Sequence, residues 1–123
     1  MRLPSLPPEE YKRRIGRLQE ELRKNSIDLF IAYSSETESA SSRYLTGFWP
    51  FFDFSGVLVP AQGEAALVTG GPESYEFAKR FSKIPNIQIN PLFVETSAPE
   101  WVPRVEGKSF KEILPKFSLV LPR

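Results

Sequence analysis

Arg43-Tyr44-Leu45-Thr46-Gly47-Phe48 is the stretch that decides the fold, because everything on either side arranges itself around it. Before it stands a helix-then-strand unit. Pro7-Pro8-Glu9-Glu10 opens the helix, since proline is tolerated where the first amides lack partners and early glutamates suit the positive end of the dipole. Tyr11, Ile15, Leu18 and Leu22 then recur at helical spacing, giving an apolar stripe through about Asn25. Ile27-Asp28 turns the chain into Leu29-Phe30-Ile31-Ala32-Tyr33, a short apolar run that reads as a buried strand. The polar segment Ser34 to Ser42 predicts a loop with a short helical turn. Gly47 stands where the chain leaves the box, a place that calls for a backbone unfriendly to a β-carbon.

After the box come two strands, Gly56–Pro60 and Glu64–Thr69, joined through Ala61-Gln62-Gly63 as a hairpin. Gly70-Gly71-Pro72-Glu73 opens a second helix with Tyr75, Phe77, Ala78 and Phe81 as its apolar positions. Pro85-Asn86 ends it before a strand at Ile87 to Leu92. Glu95 to Gly107, with Pro99 and Pro103, reads as a loop. A short helix at Ser109 to Leu114 leads to a last apolar run, Ser118-Leu119-Val120-Leu121, read as a strand. Helix, turn and strand in this order make an α/β protein, with residues 1–123 as one domain and no internal repeat or interdomain linker.

Composition removes whole classes of chemistry. The chain has no histidine and no cysteine, so a Ser-His-Asp triad, a Cys-His pair and a structural zinc site are excluded. No serine is followed three positions later by lysine. The acids are scattered, with Glu36 and Glu38 on opposite faces of any helix and Asp53 isolated, so neither a catalytic nor a metal-ligating set is expected. Gly107-Lys108-Ser109 lacks the leading glycine of a phosphate-binding loop, since position 102 is Val102; it reads as a turn with Ser109 capping a helix. Gly70-Gly71 reads as corner geometry, with weak anion binding as the lesser reading.

Sixteen Lys and Arg against fifteen Asp and Glu give a net charge of +1, without the basic excess of a nucleic-acid binder. Lys12-Arg13-Arg14, Arg17, Arg23 and Lys24 alternate with glutamates, predicting a solvated helix face with pairs such as Glu9–Arg13 and Glu20–Lys24. The start, Met1-Arg2-Leu3-Pro4-Ser5, lacks the apolar run of a signal peptide, and no stretch is long and apolar enough to span a membrane. A soluble, cytoplasmic protein is expected.

Phe48, Trp49, Phe51, Phe52 and Phe54 crowd into seven positions with Pro50 and Asp53 between them. Alternate side chains of an extended run point to opposite faces, so one core cannot easily hold all of them. Either most are core with one or two incidental exposures, or they form an interface; aromatics are enriched at both.

The opening helix with Arg14 and Leu18, the Ile27-Asp28 turn, the first strand, the Tyr44-Leu45-Thr46-Gly47-Phe48 box and the Val57-Leu58-Val59-Pro60 hairpin follow one another in an order that resembles the amino-terminal domain of the creatinase, prolidase and aminopeptidase P family of metallohydrolases. The resemblance implies a mixed β-sheet flanked by helices. It implies that the two divalent metals (manganese, cobalt or zinc) sit in a separate carboxyl-terminal domain, held by carboxylates and a histidine, and that this chain carries no cofactor. It implies a homodimer and a proline-containing peptide substrate, with no nucleic acid and no membrane. The loop after the box, Trp49 to Ser55, then reaches toward the active-site mouth, often that of the neighbouring subunit. Arg43, Trp49, Phe52, Asp53 and Phe54 are the residues that reading assigns to substrate or partner contact. The end at Leu121-Pro122-Arg123 is expected to be a domain boundary or a truncation. The competing expectation is a free-standing protein-interaction module on the same fold, with the aromatic loop as its binding surface.

Overall fold

The computed structural model describes residues 4–95, 100, 101, 103 and 106–117. The first helix, α1 (Pro8–Lys24), starts on proline, carries Glu9 and Glu10 in its first turn and ends with Arg23 and Lys24. Tyr11, Ile15 and Leu22 are buried, and Leu18 packs half-buried beside them. In place of the expected Glu9–Arg13 and Glu20–Lys24 pairs, the ion pairs form in a different register. Glu10 meets Arg13 at 2.7 Å and Arg14 at 3.2 Å, and Glu21 meets Lys24 at 3.2 Å. Neighbours three and four apart are equally close on a helix, and Arg14 is drawn to this side by a bond to the Tyr44 carbonyl at 2.9 Å.

Asn25 and Ser26 close the helix, with Ser26 in the left-handed region at φ 55. The chain then enters β1 (Leu29–Ser34), which pairs antiparallel with β2 (Ser55–Pro60). β2 pairs antiparallel with β3 (Ala66–Thr69) across a connection in which Gly63 has φ 108. β3 runs parallel to β4 (Ile87–Ile89), reached through the crossover helix α3 (Pro72–Phe81). The result is a mixed four-stranded sheet in the order β1-β2-β3-β4.

The two faces of the sheet are covered differently. Val57, Val59 and Leu67 face α1, α3 and the short helix α2 (Ala40–Thr46), packing with Ile15, Leu22, Leu45, Phe48 and Ala78. Leu58, Ala66 and Val68 face the other way. They meet Phe93 with Ile113 of α4 (Phe110–Ile113) and Phe117 of the 3₁₀ turn that follows it. Glu112 closes the start of α4 by accepting from the Ser109 N–H and hydroxyl at 3.2 and 3.1 Å, so Ser109 is the cap its sequence predicts.

Three expectations are corrected. β1 is not a fully buried strand: Ala32 and Ser34 are buried, while Ile31 and Tyr33 are about half-exposed, because β1 is an outermost strand covered on one face. Phe77 and Phe81 do not face the core. They stack on each other at 6.1 Å on the outside of α3, while the smaller Ser74 and Ala78 are its buried residues. The strand expected to run from Ile87 to Leu92 stops at Ile89. There Asn90 accepts from the Leu92 N–H at 3.0 Å and starts a 3₁₀ turn at Pro91–Phe93. The described residues between Glu95 and Gly107 belong to no helix or strand, and the run at 118–121 lies outside the described residues.

Candidate functional site

The box is the second half of α2 and the turn that ends it. Thr46 Oγ1 donates to the Ser42 carbonyl at 2.7 Å and accepts from the Phe48 N–H at 3.1 Å. Gly47 then takes the left-handed conformation at φ 77, as its position in the sequence predicts. A Cβ there would also lie 3.1 Å from Lys83 Cγ and 3.2 Å from the Tyr11 ring. The helix is fastened to the end of the sheet by buried hydroxyls. The Ser42 N–H donates to Ser34 Oγ at 3.1 Å, and Ser42 Oγ lies 3.0 Å from Ser55 Oγ. Among the described residues, no lysine or carboxylate bonds these serines, which bond one another and the backbone.

From Gly47 the chain alternates inward and outward. Phe48 is 3 % exposed and Pro50 is fully buried, while Trp49 is 50 % and Phe51 47 % exposed. The alternation breaks at Phe52, which has φ 74 and 60 % exposure. The Asp53 N–H donates back to the Phe51 carbonyl at 2.9 Å, closing a three-residue turn with Phe52 at its centre. A positive φ at a bulky residue is a strained arrangement that holds only where its surroundings fix it.

Those surroundings are in place on both sides of the turn. The Asp53 carboxylate accepts from the Gly71 N–H at 3.0 Å and from Ser74 Oγ at 2.6 Å through one oxygen, and from the Glu95 N–H at 3.0 Å through the other. It therefore supplies the negative charge that the start of α3 favours, and Gly70-Gly71 serves this internal anion. Gly70 must be glycine here, since a Cβ would fall 2.6 Å from the Phe93 carbonyl oxygen and 2.8 Å from Asp53 Cγ. The Phe54 N–H donates to the Phe93 carbonyl at 2.9 Å, and the Phe54 ring packs half-buried against Tyr33 at 5.4 Å. At the other end, the Trp49 Nε1–H donates to the Glu36 carbonyl at 3.0 Å while the Arg43 guanidinium lies over the indole at 4.8 Å.

Of the five residues the sequence singled out, Trp49 and Phe52 lie on the outside of one braced loop, and Arg43, exposed on α2, reaches over Trp49. Asp53 is turned inward with both oxygens occupied by the chain, and Phe54 lies against the second core cluster. Phe51 was missed; it meets Phe52 edge-on at 5.0 Å and shares its exposure. Its place between a buried proline and the turn is the signal that marks it. Nearby, Arg14 is held between the Tyr11 and Tyr44 rings at 5.2 and 4.4 Å and bonds Glu10. Hydrogen bonds from Arg13 and Arg14 lower the Glu10 carboxyl to about 2.

Among the described residues, no three Asp or Glu side chains come together where they could hold a metal ion. No helix among them is long and apolar enough to cross a membrane. The family model for the creatinase/prolidase N-terminal domain matches residues 14–117. No curated protein matches the sequence. Among solved structures, the chain resembles dipeptidase PepE from Mycobacterium ulcerans with a TM-score of 0.56 at 15 % identity, over 79 % of this chain and 31 % of that one. The chain thus spans about a third of the length of that dipeptidase, and at this identity the likeness is one of fold.

Proposed function

Because the chain belongs to the creatinase/prolidase N-terminal domain family, we propose that it is the non-catalytic N-terminal domain of an Xaa-Pro dipeptidase-like metallopeptidase, contributing to the substrate pocket and the dimer interface. The observation that carries this reading is the loop itself. It exposes Trp49, Phe51 and Phe52 on a backbone braced by Asp53 at one end and by the Glu36 carbonyl at the other. A site gains most from side chains held rigidly in place, and exposed aromatics that the core does not use suit contact with another surface. A proline ring is a flat apolar partner for an indole or phenyl face, and the Arg43 guanidinium beside Trp49 suits a peptide carboxylate.

In this role Arg43, Trp49, Phe51 and Phe52 touch substrate or the partner subunit, and Asp53 is a positioning residue. The donor set here does not fit a dinuclear metal centre, since histidine is absent and the carboxylates are dispersed. The two divalent metal ions of the proposed peptidase therefore belong outside these residues, and no step of the hydrolysis is assigned to this chain. Absence of cysteine suits a reducing cytoplasm.

The test is made in the proposed peptidase that would carry this domain. Trp49→Ala and Phe52→Ala are expected to raise the Michaelis constant for an Xaa-Pro dipeptide or to weaken the dimer in sedimentation. Unchanged kinetics and unchanged dimerisation in both variants would overturn the assignment and leave the loop to a separate protein partner.

A further inference from the structure

Outside the aromatic loop, α3 carries a second apolar surface that the core does not use. Phe77 is 45 % and Phe81 50 % exposed, and their rings stack on each other with the Arg80 guanidinium 5.7 Å from the Phe81 ring. The charges of this helix are divided along its length, with Glu73 and Glu76 before Phe77 and Lys79 and Arg80 after it. Glu76 and Lys79 satisfy one another at 3.0 Å. Glu73 and Arg80 are both exposed and enter no ion pair among the described residues. Beside Phe77 runs an open groove lined by Pro72, Glu73, Glu76, Lys79 and Arg80.

Glu73, Phe77, Arg80 and Phe81 follow the i, i+4, i+7, i+8 spacing of a single helix face. A face with its free acid at one end and its free base at the other is complementary to itself when turned round. Two copies laid antiparallel about a two-fold axis between Glu76 and Phe77 set Glu73 of each opposite Arg80 of the second copy, and Pro72 opposite Phe81 of the second copy. A parallel arrangement would instead set like charges together. The helix dipole favours this order of charges in any helix, but it calls for no exposed phenyl rings between and beside them. We infer that this chain pairs with a second copy of itself through α3, the Phe77 rings meeting near the axis between reciprocal Glu73–Arg80 ion pairs. The inference deepens the proposed dimer role and rests on it for its use in the proposed peptidase, but self-association is measurable in this chain without peptidase activity.

Sedimentation equilibrium of the 123-residue chain over roughly 5–500 μM should show a reversible monomer–dimer equilibrium, weak as suits a small interface. Glu73→Arg and Arg80→Glu should each weaken the dimer by about tenfold or more, since each sets like charges opposite one another on both sides of the axis. An equimolar mixture of the two variants should restore association, because the mixed pair regains both ion pairs. The double variant Glu73→Arg/Arg80→Glu should restore it alone. Phe77→Gln, which changes no charge, should also weaken the dimer and decides the matter if a charge variant fails to fold. A chain that stays monomeric throughout this range, or charge variants whose mixture stays monomeric, would overturn the inference. A dimer that resists the α3 variants and is lost in Phe52→Ala would also overturn it, while leaving the proposed function of the aromatic loop standing.

Discussion

Ser74 donates its hydroxyl to the Asp53 carboxylate at 2.6 Å, and this contact ties the crossover helix to the loop that follows the box. The same oxygen accepts from the Gly71 N–H, so one side chain closes the start of α3 and fixes the exit of the aromatic loop. A single acid thereby couples the stability of a helix to the geometry of the aromatic loop.

Removing that acid should be felt in both. Asp53→Ala is expected to cost about 2–3 kcal/mol, since it strands amides that a charged acceptor had satisfied. Ser74→Ala should cost about 1 kcal/mol. Because the two share a bond, the double variant should cost less than the sum, which urea titration of all three would read. Strict additivity would mean that the 2.6 Å contact contributes nothing.

The apolar stripe of α1 gives a graded series. Leu22, 4 % exposed, should lose about 2–5 kcal/mol on replacement by alanine, and the half-buried Leu18 less. Arg13→Ala, on the exposed face, should stay under about 1 kcal/mol. Equal losses at positions 13 and 22 in a denaturant titration would place the wrong face against the sheet.

That stripe, the hairpin, the Ser109 cap and the left-handed Gly47 were legible because each is written in neighbouring residues. What was not legible depends on partners distant in sequence. Asp53 meets its donors 18, 21 and 42 positions away, so it looked isolated. The exposure of Ile31 and Tyr33 follows from β1 being an outermost strand, which no local pattern states. Phe77 and Phe81 match a helical period as well as Ser74 and Ala78 do. Only the position of α3 against the sheet decides which pair is buried. The aromatic loop was flagged by its composition, but the division into Phe48 inside and Trp49, Phe51 and Phe52 outside needed the turn at Phe52.

Gly47→Val should disturb the fold. The left-handed conformation alone costs roughly 1–2 kcal/mol for an L-residue, and contact with Lys83 and Tyr11 adds to it. Thermal melting checks this, and a variant as stable as the parent chain would mean that the turn relaxes freely.

Glu10 gives the pH dependence a sign. Its folded carboxyl is lowered from 4.5 to about 2, so the stability it contributes is present above the unfolded value and is lost as pH falls through that window. Glu10→Gln should flatten the acid limb of the stability curve between those two values and leave stability nearly insensitive to pH above it. An unchanged acid limb would show that the Arg13 and Arg14 contacts carry no linkage.

Phe52 tests the central claim most directly, because it is strained, exposed and unused by the core. Glycine accepts φ 74 without strain, so Phe52→Gly should leave the melting temperature of the 123-residue chain unchanged or raised. Phe48→Ala, from the core, should by contrast cost about 3–5 kcal/mol. In the proposed Xaa-Pro peptidase, the same Phe52→Gly variant should raise the Michaelis constant for its dipeptide substrate or weaken the proposed dimer. A melting temperature lowered by several degrees, with kinetics and dimerisation unaltered, would contradict the account.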